Sequence, residues 1–163
     1  MKKLPTITRR EEVARSRLFR VEALDLTFSN GTEVQYERLM PGRPGGGGVL
    51  VIPMLDDKTV VMIREFSAGT ERYELCLPKG LMEAGEDPTE AANREMAEEI
   101  GYAARKLTLL TNFTLAPGYM GHRTHIVLAE ELYPHTAEGD EPEPMVIEHH
   151  ALDEVYELGM GDD

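Results

Sequence analysis

Alternating apolar and polar residues near the N-terminus predict a β-hairpin. Residues 18–28 and 33–39 both alternate, and the segment 29–32 between them contains Asn-Gly, which is typical of tight hairpin turns. The basic stretch before the hairpin, up to about Arg17, lacks this pattern and is expected to be mobile. After the hairpin, prolines and glycines at 41–48 predict a linker that interrupts regular structure.

Apolar runs in the remainder of the chain predict further strands. Residues 49–54 and 59–64 flank an Asp-Asp-Lys segment and predict a second hairpin. We also expect strands near 73–77, 107–114, 124–131 and 145–149, and a weak helix near 151–158. With one stronger helix in the middle, the order of strands, helix, strands and helix is typical of an α+β fold, an α/β/α sandwich on a mixed sheet.

The stronger helix has boundaries that the sequence specifies at both ends. Asp87 is a good N-cap, Pro88 suits the first helical position, and Glu90 completes a capping box. Gly101 is a residue type that favours the C-terminal end of a helix. The sequence therefore predicts a helix over residues 88–100.

Three glutamates lie on one side of this predicted helix. At about 100° per residue, Glu95, Glu98 and Glu99 fall within one arc beside an apolar stripe. Like charges at these spacings destabilise a bare helix by about 0.2–0.5 kcal/mol per pair. A hard divalent cation such as Mg²⁺ needs oxygen ligands and would offset this repulsion, so the cluster predicts a metal site. For these three residues alone, a solvated acidic surface is the alternative.

The segment 80–102 resembles the Nudix box, the sequence motif of the Nudix hydrolases. The pattern is Gly, five residues, Glu, seven residues, and then Arg-Glu-apolar-any-Glu-Glu-any-Gly-apolar. The matching residues are Gly80, Glu86, Arg94, Glu95, Met96, Glu98, Glu99, Gly101 and Tyr102. The resemblance implies a Nudix α/β/α sandwich, here preceded by an N-terminal β-hairpin, that hydrolyses a pyrophosphate linkage.

The resemblance also implies roles for individual residues. Catalytic Mg²⁺ or Mn²⁺ would be bound by Glu95, Glu98 and Glu99, with the main-chain carbonyl of Lys79 nearby. The structural residues of the box would be Gly80, Glu86, Arg94 and Gly101, of which Glu86 and Arg94 would mainly support the loop and the acids.

Similarity to one branch of the family extends beyond the box. The chain resembles the ADP-ribose pyrophosphatase branch, and within it bacterial hydrolases of ADP compounds. The similar segments are 14–19, 28–31, 36–38, 63–66, 69–71, 73–75 and 139–144. The resemblance implies ADP-ribose, NADH and diadenosine polyphosphates as substrates, AMP as a product, and a homodimer formed with the hairpin. The alternatives are another Nudix class, such as a dedicated NADH or diadenosine polyphosphate hydrolase, and a non-catalytic ADP-ribose sensor.

The acidic loop at 134–144 contains candidates for the general base. The resemblance to ADP-ribose pyrophosphatases implies that the base is a glutamate of this loop. Glu143 is the first candidate and Glu141 the second. A solvated loop acid is the alternative for each of them, and Glu98 of the helix is a further candidate base.

Charged residues elsewhere are candidates for substrate binding. Arg64 ends a predicted core strand and could pair with the distal phosphate or the ribose, and Arg38 and Glu74 are weaker candidates. A surface salt bridge is the alternative. A histidine metal site is disfavoured because the neighbours His149 and His150 would point to opposite faces of a strand.

Composition restricts partners and location. The chain has 17 basic and 30 acidic residues, a formal net charge of −13, so nucleic acids would be repelled. No apolar stretch suits a membrane span or a signal peptide, which predicts a cytoplasmic protein. The one cysteine, Cys76, excludes an intrachain disulfide and is expected in the core. We expect the 163 residues to form a single domain, with a hairpin extension at 18–40 and the Nudix core at 49–158.

Overall fold

A computed structural model describes residues 2–41, 47–139 and 142–160, with the backbone alone for 159 and 160. Contacts divide the chain into two compact units. The first comprises Met1–Gly45 and Phe113–Arg123, and the second comprises Gly46–Asn112 and Thr124–Asp163. Most of the predicted linker at 41–48 lies outside the described residues.

The first unit contains an antiparallel sheet of strands β1 (Thr6–Arg15), β2 (Phe19–Thr27) and β3 (Glu33–Pro41), in that order. The predicted hairpin is confirmed as β2 and β3, and its turn places Gly31 at φ +84°. The third strand, β3, is joined on its other side by a loop segment, because the Leu39 N–H donates to the Tyr119 carbonyl at 2.7 Å.

The prediction that the basic N-terminal stretch is mobile was wrong. This stretch forms β1, which pairs with β2 from Thr6 to Arg15, with two interruptions of the register. Every residue of β1 is exposed, so its side chains carry no apolar alternation that a sequence pattern could detect. Backbone pairing with β2 orders the strand instead.

The second unit contains two sheets and two helices. The elements are β4 (Gly48–Pro53), β5 (Thr59–Ser67), β6 (Arg72–Cys76), β7 (Lys79–Leu81), α1 (Pro88–Glu99), β8 (Tyr102–Phe113), β9 (Thr124–Pro134), β10 (Val146–Ala151) and α2 (Leu152–Met160). One sheet has the order β7-β4-β9-β8, and the other has the order β10-β5-β6. The first is mixed, since β4 runs parallel to β9 and antiparallel to β7. This architecture confirms the predicted α+β class.

The predicted second hairpin, 49–54 with 59–64, was wrong. Its two strands exist as β4 and β5 and are joined at the turn by the Met54–Val60 bridge and the Leu55 N–H bond to the Thr59 carbonyl, but beyond the turn they belong to different sheets. The strand β4 lies between two neighbours and is largely buried, so its continuous apolar run reflects a central position in a sheet. The strand β8 also begins earlier than expected, at Tyr102.

The core of the second unit lies between the strands and α1, which packs against β4, β7 and β9. Val51, Ile63, Met96 and Val127 are fully buried there. Cys76 packs against this core but is only partly buried, so its predicted core position holds in part. Among the described residues, no helix combines the length and the apolar character that a membrane span requires.

Candidate active site

The helix α1 begins and ends where its capping residues predict. The side chain of Asp87 accepts a hydrogen bond from the Thr89 N–H at 2.8 Å, and Pro88 occupies the first turn. At the other end the Ile100 N–H donates to the Met96 carbonyl, and Gly101 adopts φ +70°. These caps fix the two ends of the helix and therefore the positions of its glutamates along the helix axis.

The three glutamates of α1 occupy one side of the helix, as predicted. Glu95 and Glu99 are buried, each 8 % exposed, and Glu98 is partly buried. Arg94 Nη1 donates to Glu95 Oε1 at 2.8 Å and to Glu98 Oε2 at 3.3 Å. The Lys79 N–H donates to Glu99 Oε2 at 3.1 Å. Glu95 and Glu99 therefore have fixed oxygens beside β7, the strand that begins at Lys79.

Arg94 also connects the acids to the loop that precedes the helix. Its Nε donates to Glu86 Oε1 at 3.0 Å, and its Nη2 donates to Glu86 Oε2 at 3.2 Å and to the Leu81 carbonyl at 3.0 Å. Glu86 accepts a further bond from the Glu83 N–H. The guanidinium holds the pKa of Glu86 below its ordinary value. This geometry supports the structural role that the resemblance implies for Glu86 and Arg94.

Gly80 lies against the carboxylate of Glu95. A Cβ atom built at this position would lie 2.0 Å from Glu95 Cδ and 2.1 Å from both of its oxygens. Real Cβ contacts are not that short, so only glycine lets this strand approach the carboxylate so closely. Gly80 thus sets the distance between β7 and the acids.

We expect Gly80→Ala to lower hydrolytic activity and metal affinity at least about tenfold, as changes around metal ligands commonly do. The added methyl group must displace the Glu95 carboxylate. Gly69→Ala is the matched control, since a Cβ there meets nothing within 4 Å. Activity against Mg²⁺ concentration measures both variants, and equal curves for Gly80→Ala and wild type would contradict this account of the glycine.

Burial makes the acid cluster electrostatically costly. It raises the pKa of Glu99 to about 8, although the Lys79 N–H and ammonium oppose the shift. Burial also raises the pKa of Glu95, against the effect of Arg94. Buried carboxylates whose pKa values stay raised despite these contacts fit a divalent cation, which would favour their ionised forms.

Arg94 partly occupies the oxygens that a cation would need. In the parts of the chain that the structure describes, no three His, Cys, Asp or Glu side chains are already arranged to hold a metal ion. Since Arg94 Nη1 bonds both Glu95 and Glu98, these two carboxylates would have to turn from it to bind a cation. The residue types fit a metal site, and the required change is a side-chain rotation.

The sequence did not indicate a second set of charged residues beside the cluster. Lys79 Nζ forms an ion pair with Glu65 and lies 3.5 Å from Cys76 Sγ. Burial raises the pKa of the Cys76 thiol. Glu65 lies on β5 and Lys79 on β7, and the backbone N–H of Lys79 binds Glu99. Glu65 and Lys79 thus connect the acid cluster to β5.

The acidic loop is attached to the C-terminal end of α1. The His135 N–H donates to the Gly101 carbonyl at 2.9 Å, and the Ala137 N–H donates to the Ala97 carbonyl at 3.0 Å. A Cβ atom built on Gly139 would lie 3.4 Å from Glu98 Cβ. The loop therefore passes beside the acid cluster before it reaches Glu143.

Of the two loop candidates for the general base, Glu143 and Glu141, the structure describes only Glu143. Glu141 lies outside the described residues. Glu143 accepts a hydrogen bond from the hydroxyl of Tyr73, and this contact raises the pKa of Tyr73. The structure therefore brings Glu143 to the end of β6, and its hydrogen-bond partner there is a tyrosine.

The three candidate substrate-binding residues all form ion pairs. Arg38 donates to Glu22 Oε2 through Nε at 3.0 Å and Nη2 at 2.8 Å. Arg64 Nε donates to Glu148 Oε1 at 2.5 Å. Arg72 Nε donates to Glu74 at 2.8 Å and lowers the pKa of Glu74. These pairs are the salt bridges that the sequence left open as the alternative.

Two family models match the chain, in consecutive ranges of the sequence. The NudE-type Nudix hydrolase N-terminal domain matches residues 5–38, and the NUDIX domain matches residues 46–160. The ADP compounds hydrolase NudE of Escherichia coli is 50% identical over 141 residues, which cover 86% of this chain and 74% of that protein. The ADP-ribose pyrophosphatase of Bacillus subtilis is 41% identical over 86 residues, 53% of this chain and 46% of that protein.

A solved structure agrees with these matches. The crystal structure of an ADP compounds hydrolase superposes with a TM-score of 0.90 and 45% sequence identity, over 99% of this chain and 85% of that chain. The family resemblance that the motif indicated is thereby confirmed, as is the Nudix fold. With the Nudix box intact over residues 80–102 and both family models matched, the chain belongs to the Nudix hydrolase family and is similar to a NudE-type member over most of its length.

Proposed function

We propose that this Nudix hydrolase cleaves the pyrophosphate linkage of ADP-containing compounds, namely ADP-ribose, NADH and diadenosine polyphosphates, and releases AMP. The observation that carries the proposal is the buried pair Glu95 and Glu99 with Glu98 beside it, held by Arg94 and Lys79. The similarity to an ADP compounds hydrolase and to an ADP-ribose pyrophosphatase supports the choice of substrates.

Mg²⁺ or Mn²⁺ is the cofactor we assign to the cluster. Glu95, Glu98, Glu99 and the carbonyl of Lys79 would hold it, and it would supply positive charge for the phosphoryl oxygens and acidify a bound water. The Lys79 N–H orients the Glu99 carboxylate, and Arg94 orients the other two. Hard carboxylate ligands suit both ions.

The proton of the attacking water needs an acceptor, and we assign this role to Glu143, which does not belong to the proposed metal ligands. The loop is anchored at Gly101 and Ala97 and passes beside Glu98 at Gly139. Four further residues span at most about 14 Å, so Glu143 can approach the cluster by a local movement of the loop. Glu141 is the second candidate for the same role, and Glu98 is the third.

Arg64, Arg38 and Glu74 stay candidates for substrate binding. To bind substrate, each would have to leave its ion-pair partner in the protein. The partner is Glu148 for Arg64, Glu22 for Arg38 and Arg72 for Glu74. A phosphate can compete for an arginine in this way, because guanidinium binds phosphate and carboxylate with similar bidentate geometry.

A substrate panel tests the proposed function. Release of AMP from ADP-ribose, NADH and diadenosine polyphosphates is measured with Mg²⁺ and with Mn²⁺, and kcat/KM is compared across the panel. Strong preference for NADH or for the diadenosine compounds would indicate a dedicated hydrolase of that class. Tight ADP-ribose binding without hydrolysis in either metal would identify a sensor and refute the enzyme.

We predict a homodimer in which the 18–40 hairpin forms part of the interface. Val34 and Tyr36 stand on one face of β3 and are 37 % and 47 % exposed, a degree of apolar exposure that suits an interface. Tyr36→Asp should shift sedimentation equilibrium towards monomer at micromolar concentration. Glu33→Ala, at an exposed residue on the opposite face of the strand, is the control. Monomeric wild-type protein under the same conditions would refute the dimer.

The remaining expectations concern location and other partners. We infer a cytoplasmic enzyme that acts on small nucleotides and binds neither nucleic acid nor membrane. The net charge of −13 supports this, since an acidic surface repels polyanions and anionic lipid surfaces alike.

A further inference from the structure

The metal site that we assign to α1 depends on a short strand at the edge of a sheet. The strand β7 has three residues and stands at one end of the sheet order β7-β4-β9-β8. Its first residue, Lys79, donates its N–H to Glu99 Oε2 at 3.1 Å, and its carbonyl is a proposed ligand. Its second residue, Gly80, lies against the Glu95 carboxylate. A displacement of β7 would therefore disturb several of the proposed ligands together.

The side chain of Glu65 holds Lys79 from the other sheet of the second unit. Its carboxylate forms an ion pair with Lys79 Nζ, and its Oε2 lies 3.9 Å from Cys76 Sγ. Glu65 is two positions from the fully buried Ile63, so both side chains point to the same face of β5. Since β5 pairs with β10 on one side and with β6 on the other, its backbone is fixed from both sides. The ion pair thus connects an edge strand to a central strand.

This ion pair should contribute little to the stability of the fold. The side chains of Glu65 and Lys79 are 29 % and 40 % exposed, and ion pairs that reach solvent add little to the free energy of unfolding. Its effect on the metal site should be larger, because replacing a residue that orients metal ligands commonly changes metal affinity about 10- to 100-fold. Metal affinity is therefore the property that the pair should control.

We propose that Glu65 is a positioning residue for the metal site, which acts through its ion pair with Lys79 and sets the affinity for Mg²⁺ or Mn²⁺. The inference rests on the proposed function, because it takes the glutamates of α1 and the Lys79 carbonyl as the metal ligands. It adds a residue of β5, outside the segment 80–102 that carries the Nudix box.

Two variants separate the effect of position from the effect of charge. Glu65→Gln removes the negative charge of the pair, so it should weaken cation binding through position and through Coulombic attraction alike. Lys79→Met removes the positive charge and keeps the backbone N–H and carbonyl. Coulombic attraction alone would then strengthen cation binding, because a positive charge near the site is lost, whereas a displaced β7 would weaken it. The direction of the change in Lys79→Met therefore decides between the two causes.

Binding of Mn²⁺ without substrate tests the proposal, with the free ion measured by electron paramagnetic resonance. We expect the Kd for Mn²⁺ to rise about tenfold in Glu65→Gln and by a smaller factor in Lys79→Met. The double variant breaks the same contact without a change in net charge, so its Kd should lie between those of the single variants. With ADP-ribose as substrate, the Mn²⁺ concentration for half-maximal activity should rise in proportion, while kcat at saturating Mn²⁺ is largely retained.

Glu130→Gln is the matched control for Glu65→Gln. Glu130 of β9 forms an ion pair with Lys106 of β8 at 2.6 Å, so the substitution makes the same charge change in a pair between two other strands. It should leave the Kd for Mn²⁺ unchanged. Lys79→Arg keeps a cation for Glu65 and should bind Mn²⁺ nearly as wild type does. The Tm of Glu65→Gln in metal-free buffer should stay close to that of wild type, which separates the loss of affinity from damage to the fold.

Several outcomes would overturn the proposal. These are an unchanged Kd for Mn²⁺ in Glu65→Gln, a Kd below that of wild type in Lys79→Met, and equal losses in Glu65→Gln and Glu130→Gln. A lower kcat/KM in Lys79→Met with unchanged Mn²⁺ affinity would assign that side chain to the substrate instead. Wild type that binds no Mn²⁺ would refute the metal site and this inference with it. Failure of a Mn²⁺-binding wild type to hydrolyse ADP-ribose would refute the proposed function alone, since the binding measurements do not depend on turnover.

Discussion

Glu99→Gln is expected to lower kcat in Mg²⁺ by at least about a hundredfold while the chain stays folded. Residues one step away from a metal commonly cost about 10- to 100-fold when replaced, so a direct ligand should cost at least as much. Glu99 is buried, and the Lys79 N–H fixes one of its oxygens at 3.1 Å. Steady-state hydrolysis of ADP-ribose at increasing Mg²⁺ concentration measures the loss.

Glu90→Gln is the matched control for this variant. Glu90 lies on the same helix but is exposed in its first turn, so its replacement should leave kcat within about twofold of wild type, as surface substitutions do. Wild-type kcat in Glu99→Gln would show that the metal assignment is wrong.

Stability in metal-free buffer gives Glu99→Gln a second readout. Burial raises the pKa of Glu99 to about 8, above its ordinary value of 4.5. The folded state therefore binds the proton more tightly than the unfolded state, and wild type loses stability as pH rises from 4.5 towards 8. Glutamine does not ionise, so at pH 8 with a chelator the variant should have a Tm equal to or above that of wild type. A lower Tm would show that the carboxylate stabilises the fold without a metal.

Glu143→Gln is expected to lower kcat for ADP-ribose by about 10²–10⁴-fold, the usual cost of removing a general base. Its effect on KM should be much smaller. The acids of α1 must stay ionised and metal-bound, so they are poorly placed to accept a proton. Glu143 is flanked by Pro142 and Pro144, which restrict the loop backbone and lower the entropy lost when the loop orders around substrate.

Comparison with other acids of the loop makes this result specific. Glu138→Gln should change kcat little, because Glu138 is exposed. Removal of a general base costs far more than about threefold in kcat. A smaller loss than this in Glu143→Gln, together with a severe loss in Glu141→Gln, would therefore assign the role of base to Glu141. Small losses in both would return the role to Glu98.

Features that depend on neighbouring residues were predictable from the sequence. The ends of α1 follow from Asp87, Pro88 and Gly101, all of which act within one turn of the helix. The shared side of the glutamates follows from helical periodicity alone. The contacts of Arg94 with Glu86 and Leu81 agree with the roles implied by the box.

Features that depend on distant pairing were not predictable. The strand β1 forms because β2 supplies its hydrogen bonds, and its own side chains carry no signal. The assignment of β4 and β5 to different sheets depends on β9, far along the chain. The bond between Tyr73 and Glu143 joins residues 70 positions apart. No local pattern could have placed Glu143 beside a tyrosine.

The two edges of the N-terminal sheet limit how copies of this chain can associate. Exposed strand edges tend to pair with other chains, and proteins prevent this with charged residues and irregular register. The outer strand β1 has both, with Arg9–Glu11 and Arg15–Glu12 pairs and two breaks in its register. The opposite edge, β3, is already engaged at Leu39 by the Tyr119 carbonyl. Continuous strand addition is therefore disfavoured at both edges, and a specific dimer would have to use the apolar faces of the sheet.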